Sequence, residues 1–211
     1  KPGFLGKFQR TVPRELNRIN ALVEDLLDLA RVPKYVFQST NLKALLEQAL
    51  DATDAQLQSG HIQCSCAIAD DMPPVRADAN QLARAIHNLI RNAIQAMPQG
   101  GQITTKTANI DVDQVYANRH IGLEPGAYIT LSISDTGVGM DENIQSKIFE
   151  PFFTTKEEGK GTGMGLATVY GIVQQNQGYI EVSSRPEQGT TFQIYLPRFR
   201  QNIELTGQGQ I

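Results

Sequence analysis

Residues 128–134 read Tyr-Ile-Thr-Leu-Ser-Ile-Ser, and the alternation runs into a carboxylate. Ile129, Leu131 and Ile133 share one face of an extended segment, and Asp135 has their parity. A strand with this pattern lays one face on an apolar core and delivers a single acid to the rim of that core. Asp135-Thr-Gly-Val-Gly-Met140 then turns sharply. A carboxylate that accepts one strong hydrogen bond can read an exocyclic amine. Gly137 and Gly139 let a backbone come close to a flat ring. Read alone, a tight turn without a ligand is the commoner meaning of Asp-x-Gly-x-Gly. An EF-hand is excluded, because its third and fifth positions need oxygen ligands and here are glycines.

The elements around this strand set the fold class. From Pro13 to Arg31, Leu16, Ile19, Val23, Leu26 and Ala30 step along a heptad seam, and Val32-Pro33 stops the helix. A lone helix of that length cannot bury such a seam, so pairing with a second chain is expected. Asn41 to Gln58 reads as an amphipathic helix ended by Gly60. Next come a strand through His61–Ile68, an extended piece at Pro74–Ala77 and a helix over 78–97. Strands follow at Ile103–Ile110 and Tyr128–Ser134, with 111–126 a hairpin loop between them. Asp141 caps a short helix to Phe149, and another helix runs from Gly165 to Gln177. Strands at Tyr179–Ser184 and Thr190–Leu196 close the unit. This mixture predicts an α/β sandwich with a mixed or antiparallel sheet.

Composition narrows the function. The chain has 211 residues, enough for one ample core plus an appendage. Lys plus Arg is 19 against 22 Asp plus Glu, a net charge of −3, which gives no electrostatic case for nucleic acid. No apolar run approaches the ~18 residues of a membrane span, so no membrane contact is expected. Cys64 and Cys66 are too few for a secreted disulfide scaffold. Ile62, Cys64, Cys66 and Ile68 share a face, so a core strand is the better reading and a metal site with His61 the weaker one.

Three further segments carry possible chemistry. On the helix 78–97, Leu82, Ile86, Leu89, Ile90, Ala93 and Met97 form one face, and Arg84, Asn88, Arg91, Asn92 and Gln95 the opposite one. Asn88 and Asn92 are i and i+4. A solvated face explains the stripe, but paired Asn is unusual inside a helix, and amide oxygens suit Mg²⁺ beside phosphates. Gly159-Lys-Gly-Thr-Gly-Met-Gly-Leu166 opens a helix with glycines, which makes an anion site or a mobile loop. It fits neither the P-loop nor Gly-x-Gly-x-x-Gly. Gly189-Thr-Thr-Phe192 opens the last strand with Thr190 on the parity of Phe192 and Ile194, so its hydroxyl faces the side that carries Asp135.

Order and spacing decide what each piece alone does not. Asn88-Leu-Ile-Arg-Asn92-Ala, Asp135-Thr-Gly-Val-Gly139, Phe149-Glu-Pro-Phe-Phe-Thr-Thr-Lys156, Gly161-Thr-Gly-Met-Gly-Leu166 and Gly189-Thr-Thr-Phe192 resemble the N, G1, F, G2 and G3 boxes of sensor histidine kinases. The resemblance covers about residues 38–198, and the Phe-Glu-Pro-Phe-Phe-Thr-Thr-Lys wording separates it from the wider ATPase superfamily. The helix 13–31 looks like the second helix of a dimerisation and histidine-phosphotransfer hairpin of the nitrogen-regulation-like branch.

The resemblance implies a Bergerat-type ATP-binding fold, an α/β two-layer sandwich with a mixed sheet, preceded by a helix of a dimeric four-helix bundle. It divides the chain into a hairpin helix (1–36), a catalytic ATP-binding domain (37–200) and a flexible tail (201–211). It implies ATP and Mg²⁺, with Asn92 and Asn88 as metal ligands. Asp135 would accept the adenine amine, supported by Thr190, in a pocket shaped by Gly137 and Gly139. Gly161, Thr162, Gly163, Met164, Gly165 and Leu166 would line the triphosphate. Residues 154–160, among them Thr154, Thr155 and Lys156, would form a lid, with Lys156 and Arg91 also candidates for phosphate contacts. The implied partners are a second copy and the receiver domain of a response regulator, in the cytoplasm.

The phospho-accepting histidine belongs on the first hairpin helix, and none of His61, His87 or His120 has that context. The acceptor is therefore expected upstream of Lys1, and this fragment is expected not to phosphorylate itself. Two rivals are an ATPase of the chaperone or topoisomerase kind and a non-catalytic nucleotide-binding module. The first places a Glu where Asn88 stands, and Asn cannot take a proton from water.

Overall fold

The computed structural model describes Val12 and residues 36–69, 72–156 and 161–198. The expected seam of residues 16–30 and the tail 201–211 lie outside them, so neither the hairpin helix nor the tail is addressed. The described residues form a five-stranded sheet under one layer of helices, with strand order β2-β4-β5-β7-β6. β2 (Ile62–Ala67) runs parallel to β4 (Gly101–Val112). β4, β5 (Gly126–Asp135), β7 (Thr190–Pro197) and β6 (Tyr179–Ser184) pair antiparallel. The mixed sheet is thus borne out. A separate two-stranded ribbon pairs β1 (Gln38–Thr40) with β3 (Val75–Ala77).

The helix layer consists of α1 (Leu42–Ser59), α2 (Ala79–Ala96) and α5 (Gly165–Gln175). α2 is its centre. Asp78 starts it by accepting the N–H groups of Asn80 and Gln81 on Oδ1, both at 3.1 Å. Its expected apolar face is buried in full: Leu82, Ile86, Leu89, Ile90, Ala93 and Met97, joined by Ala85. Ile129, Leu131 and Ile133 of β5 and Phe192, Ile194 and Leu196 of β7 meet it from the sheet. Truncating a side chain such as Leu89 would cost about 2–5 kcal/mol. This packing fixes where Asp135 ends up, because the residue closes the same buried row.

Two expectations need correction. β2 is the sheet's edge strand, and although Cys64 and Cys66 lie on the helix side opposite Ile103 and Thr105, both thiols are exposed. Only Ile62 is buried; the helix layer does not reach over the outer part of this edge. Partial desolvation, then Cys66 and Asp54, push the Cys64 thiol up. The second correction concerns 111–126, which is more than a connecting loop. The strands extend to Val112 and from Gly126, and the segment between holds a helical turn, α3 (Gln114–Ala117). Val112, Ala117, Leu123, Tyr128 and Tyr195 make a second small core on the sheet's outer face. There His120 stacks on Tyr116 at 4.3 Å and its Nε2 lies 3.4 Å from Glu181.

Candidate functional site

The site grows from the end of β5. Asp135 is buried, with Thr190 directly across the ladder. Its Oδ1 accepts the backbone N–H of Gly137 at 2.8 Å and that of Thr190 at 3.3 Å. Among the described residues no donor reaches Oδ2, which leaves one lone acceptor on a fixed carboxylate. Burial pushes this carboxyl above the usual range, and the two N–H groups pull partly back.

Glycines hold the surrounding turns together. Gly139 has φ +64°, and a Cβ there would lie 1.9 Å from the Arg185 carbonyl oxygen. Gly189, at φ +84°, would place its Cβ 1.9 Å from the Asp135 carbonyl oxygen. Gly137 packs on the last turn of α2, where its Cβ would meet the Ala96 carbonyl at 2.6 Å, and Val138 donates to that same oxygen at 3.1 Å. Protein atoms already require glycine at 137 and 139.

The i, i+4 row Asn88, Asn92, Ala96 links this turn to the glycine segment that opens α5. Asn88 Nδ2 lies 3.5 Å from the Gly165 carbonyl oxygen at one end, and Ala96 touches Gly137 at the other. The two ends are about 12 Å apart along the helix. Asn88 is buried, which corrects the solvated-face alternative, and Asn92 is half-buried. Neither amide oxygen accepts a hydrogen bond from the described residues, so both are free hard donors at a spacing that one divalent cation can bridge to phosphate oxygens.

The exposed flank of α2 between these two ends is cationic. Arg91 and Lys156 are exposed, and a Cβ on Gly165 would lie 3.5 Å from Arg91 Nη2. Lys156 Nζ donates to Gln95 Oε1. Desolvation, then the Arg91 charge, hold the Lys156 ammonium below its usual range. Among the described residues neither cation has an acidic partner. Thr154 Oγ1 accepts the Lys156 N–H at 3.2 Å and lies 3.0 Å from a Cβ placed on Gly161. Thr155 is exposed and makes no hydrogen bond among the described residues. Thr162 Oγ1 caps the Met164 N–H at 3.4 Å, and Gly163, at φ +70°, fits against the backbone of Phe152. Met164 is buried, Gly165 opens α5 and Leu166 packs on the core. Residues 157–160 of the expected lid lie outside the described residues.

The five sequence segments thus converge at one edge of the domain. One model of a protein family covers residues 77–200, that of the histidine kinase-, DNA gyrase B- and HSP90-like ATPases. The chain belongs to this family. Its described part is a catalytic ATPase domain of the sensor histidine kinase type. The sensor kinase CckA of Brucella abortus is 40% identical over 190 residues, 89% of this chain and 20% of that relative. The chain spans only about 20% to 39% of the length of the curated relatives it matches. Full-length ShkA in complex with AMPPNP shares the fold, with a TM-score of 0.69 at 24% identity over 84% of this chain and 35% of that one. So does the histidine kinase ThkA bound to the response regulator protein TrrA, with a TM-score of 0.72 at 22% identity over 94% and 53%.

Two residues of the site escaped the sequence reading. Ser184 Oγ contacts Met140 N at 2.8 Å, Gly189 O at 3.0 Å and Thr190 Oγ1 at 2.9 Å. Gln145 Nε2, from the short helix α4 (Glu142–Gln145), donates to the carbonyls of Met140 and Ser184, each at 3.1 Å. The Thr190 hydroxyl is therefore engaged with Ser184, and Thr190 steadies Asp135 through its backbone N–H instead. The β6–β7 register, which pairs Ser184 with Thr190, was the available signal.

Proposed function

We propose that this chain is the ATP-binding catalytic region of a sensor histidine kinase. It transfers the γ-phosphoryl group of ATP to a histidine on a dimerisation hairpin, for relay to an aspartate of a response-regulator receiver domain. The observation that carries the reading is the distribution of polar groups along this edge. A lone carboxylate oxygen stands at the Ala96 end of α2, and along the same helix lie the amide oxygens of Asn88 and Asn92 and two cations, Arg91 and Lys156, that have no acidic partner among the described residues. In this reading Asp135 Oδ2 accepts the adenine amine, and Lys156, Arg91 and the N–H groups of 161–166 receive the phosphates. Asn88 and Asn92 would hold Mg²⁺, which when bound offsets phosphate charge. The cations favour the charge that develops as the phosphoryl group leaves.

The partner assignments rest on two observations. The heptad seam of residues 16–30 supports a homodimer, and the likeness to ThkA, solved in complex with the response regulator protein TrrA, supports a response regulator. A cytoplasmic location suits both, and no helix of the described residues is long and apolar enough to cross a membrane. Calorimetric titration with ATP and Mg²⁺ tests the binding half. Saturable binding is expected, and none at millimolar nucleotide would sink the reading. Incubation with labelled ATP tests the transfer half. Label is expected on a separately supplied hairpin that carries the histidine and not on His61, His87 or His120.

A further inference from the structure

Ser184 is a hydroxyl with every bonding position in use. A hydroxyl gives one proton and offers two lone pairs. Met140 N–H can only donate, so it takes one lone pair. Gly189 O can only accept, so it takes the proton. The remaining contact, to Thr190 Oγ1 at 2.9 Å, is then a hydrogen bond only if Thr190 is the donor. Gln145 braces the arrangement by holding the carbonyls of Met140 and Ser184. The Thr190 proton consequently points at Ser184, and what Thr190 leaves free on the Asp135 side is a lone pair.

We infer that Ser184 is a positioning residue that sets purine specificity: by taking the Thr190 proton it makes the purine-facing rim acceptor-only. This deepens the ATP reading of the site and rests on it. Asp135 and Thr190 face each other in the ladder, on the same sheet side, and both are buried. The rim then presents Asp135 Oδ2 and Thr190 Oγ1, two acceptors. A 6-amino purine brings hydrogens to such a rim. A 6-oxo purine brings an oxygen in that place and a single hydrogen, on N1, so at least one of the two acceptors is left facing the lone pairs of that oxygen. Discrimination arises from this repulsive pairing as much as from the attractive one.

The test compares ATP with inosine triphosphate, a 6-oxo purine nucleotide, by calorimetry on the folded chain with Mg²⁺. The wild type should prefer ATP strongly. In Ser184→Ala the Thr190 hydroxyl is free to turn and donate, so the preference should narrow about tenfold, chiefly through tighter inosine triphosphate. Thr190→Val should narrow it as well, and the double variant should be no worse than Thr190→Val alone, since both act through one proton. If Ser184→Ala weakens both nucleotides in equal proportion, Ser184 is merely structural and the inference falls. If Ser184→Ala does not fold, Thr190→Val decides: an unchanged preference overturns the proposal. Failure of the wild type to bind ATP would instead remove the underlying reading, which separates the two failures.

Discussion

The purine side and the phosphate side of this edge are built differently. At the Asp135 end, backbone groups do the positioning: two N–H groups fix Oδ1, and glycines at 139 and 189 let carbonyls approach where no side chain fits. Asp135, Thr190 and Gly189 are buried there. On the phosphate side, long exposed side chains do the work, and among the described residues the Lys156 ammonium donates to Gln95. The first end is complete before any nucleotide arrives. The second holds cations that have no acidic partner among the described residues, and phosphate would supply the counter-charge. Recognition of the base therefore falls to a rigid template, and grip on the phosphates to groups that gain their partner on binding.

The largest test of the contrast is steric. Gly139→Val puts a side chain into a backbone carbonyl at a positive φ, so a loss of about 3 kcal/mol or more is expected. For a domain of this size that lowers Tm by about 6–12 °C. Thermal unfolding would expose a slack purine end if Tm hardly moved. Asp135→Ala comes next. Removing a charged acceptor should cost about 1.5–3 kcal/mol, one to two decades of ATP affinity in a calorimetric titration. An unchanged affinity would mean that the base is read elsewhere.

At the other end the expected effect is smaller and depends on pH. Lys156 is protonated less readily in the free domain than an ordinary lysine, and bound phosphate would raise its pKa. Binding above the free value takes up a proton, so ATP affinity should hold at neutral pH and fall as pH rises through that lowered value. Lys156→Met should lose roughly tenfold in affinity at neutral pH and flatten the decline. A decline of the same steepness in the variant would assign the proton to another group.

How much of this was legible beforehand follows the same divide. The α2 stripe, the parity of Asp135 and the glycine-opened α5 are local patterns with periods of 3.6 and 2, and they landed where the sequence put them. The exposure of Cys64 and Cys66 was not legible, because their parity is right and only the strand order makes β2 an edge. The outer-face core around Tyr195 was equally hidden, since it needs 113–125 folded back over β5 and β7. Ser184 sits in an ordinary Val-Ser-Ser run, and its role exists only through the Met140 N–H, the Gly189 carbonyl and the Thr190 hydroxyl that come to it.

The smallest expected effect has the opposite sign to the others. Asp135 has its pKa raised by burial, so the folded state favours its protonated form. For an acid whose folded pKa exceeds the unfolded one, protonation adds stability below the unfolded value, and that gain is lost as pH rises through the folded value. At neutral pH the empty domain thus bears the full cost of a desolvated charge. Asp135→Asn removes the charge, keeps an oxygen for the Gly137 and Thr190 N–H groups, and turns a donor toward the adenine amine. The empty variant should melt higher by about 1–2 °C at pH 7, the shift that roughly half a kcal/mol gives, and the gap should close as pH falls through the raised folded value, where the wild type also becomes neutral. ATP affinity should drop as far as in the Ala variant. A lower melting point at neutral pH would mean that the carboxylate charge stabilises the empty fold, and the purine end would then be a structural ion site rather than a prepared recognition site.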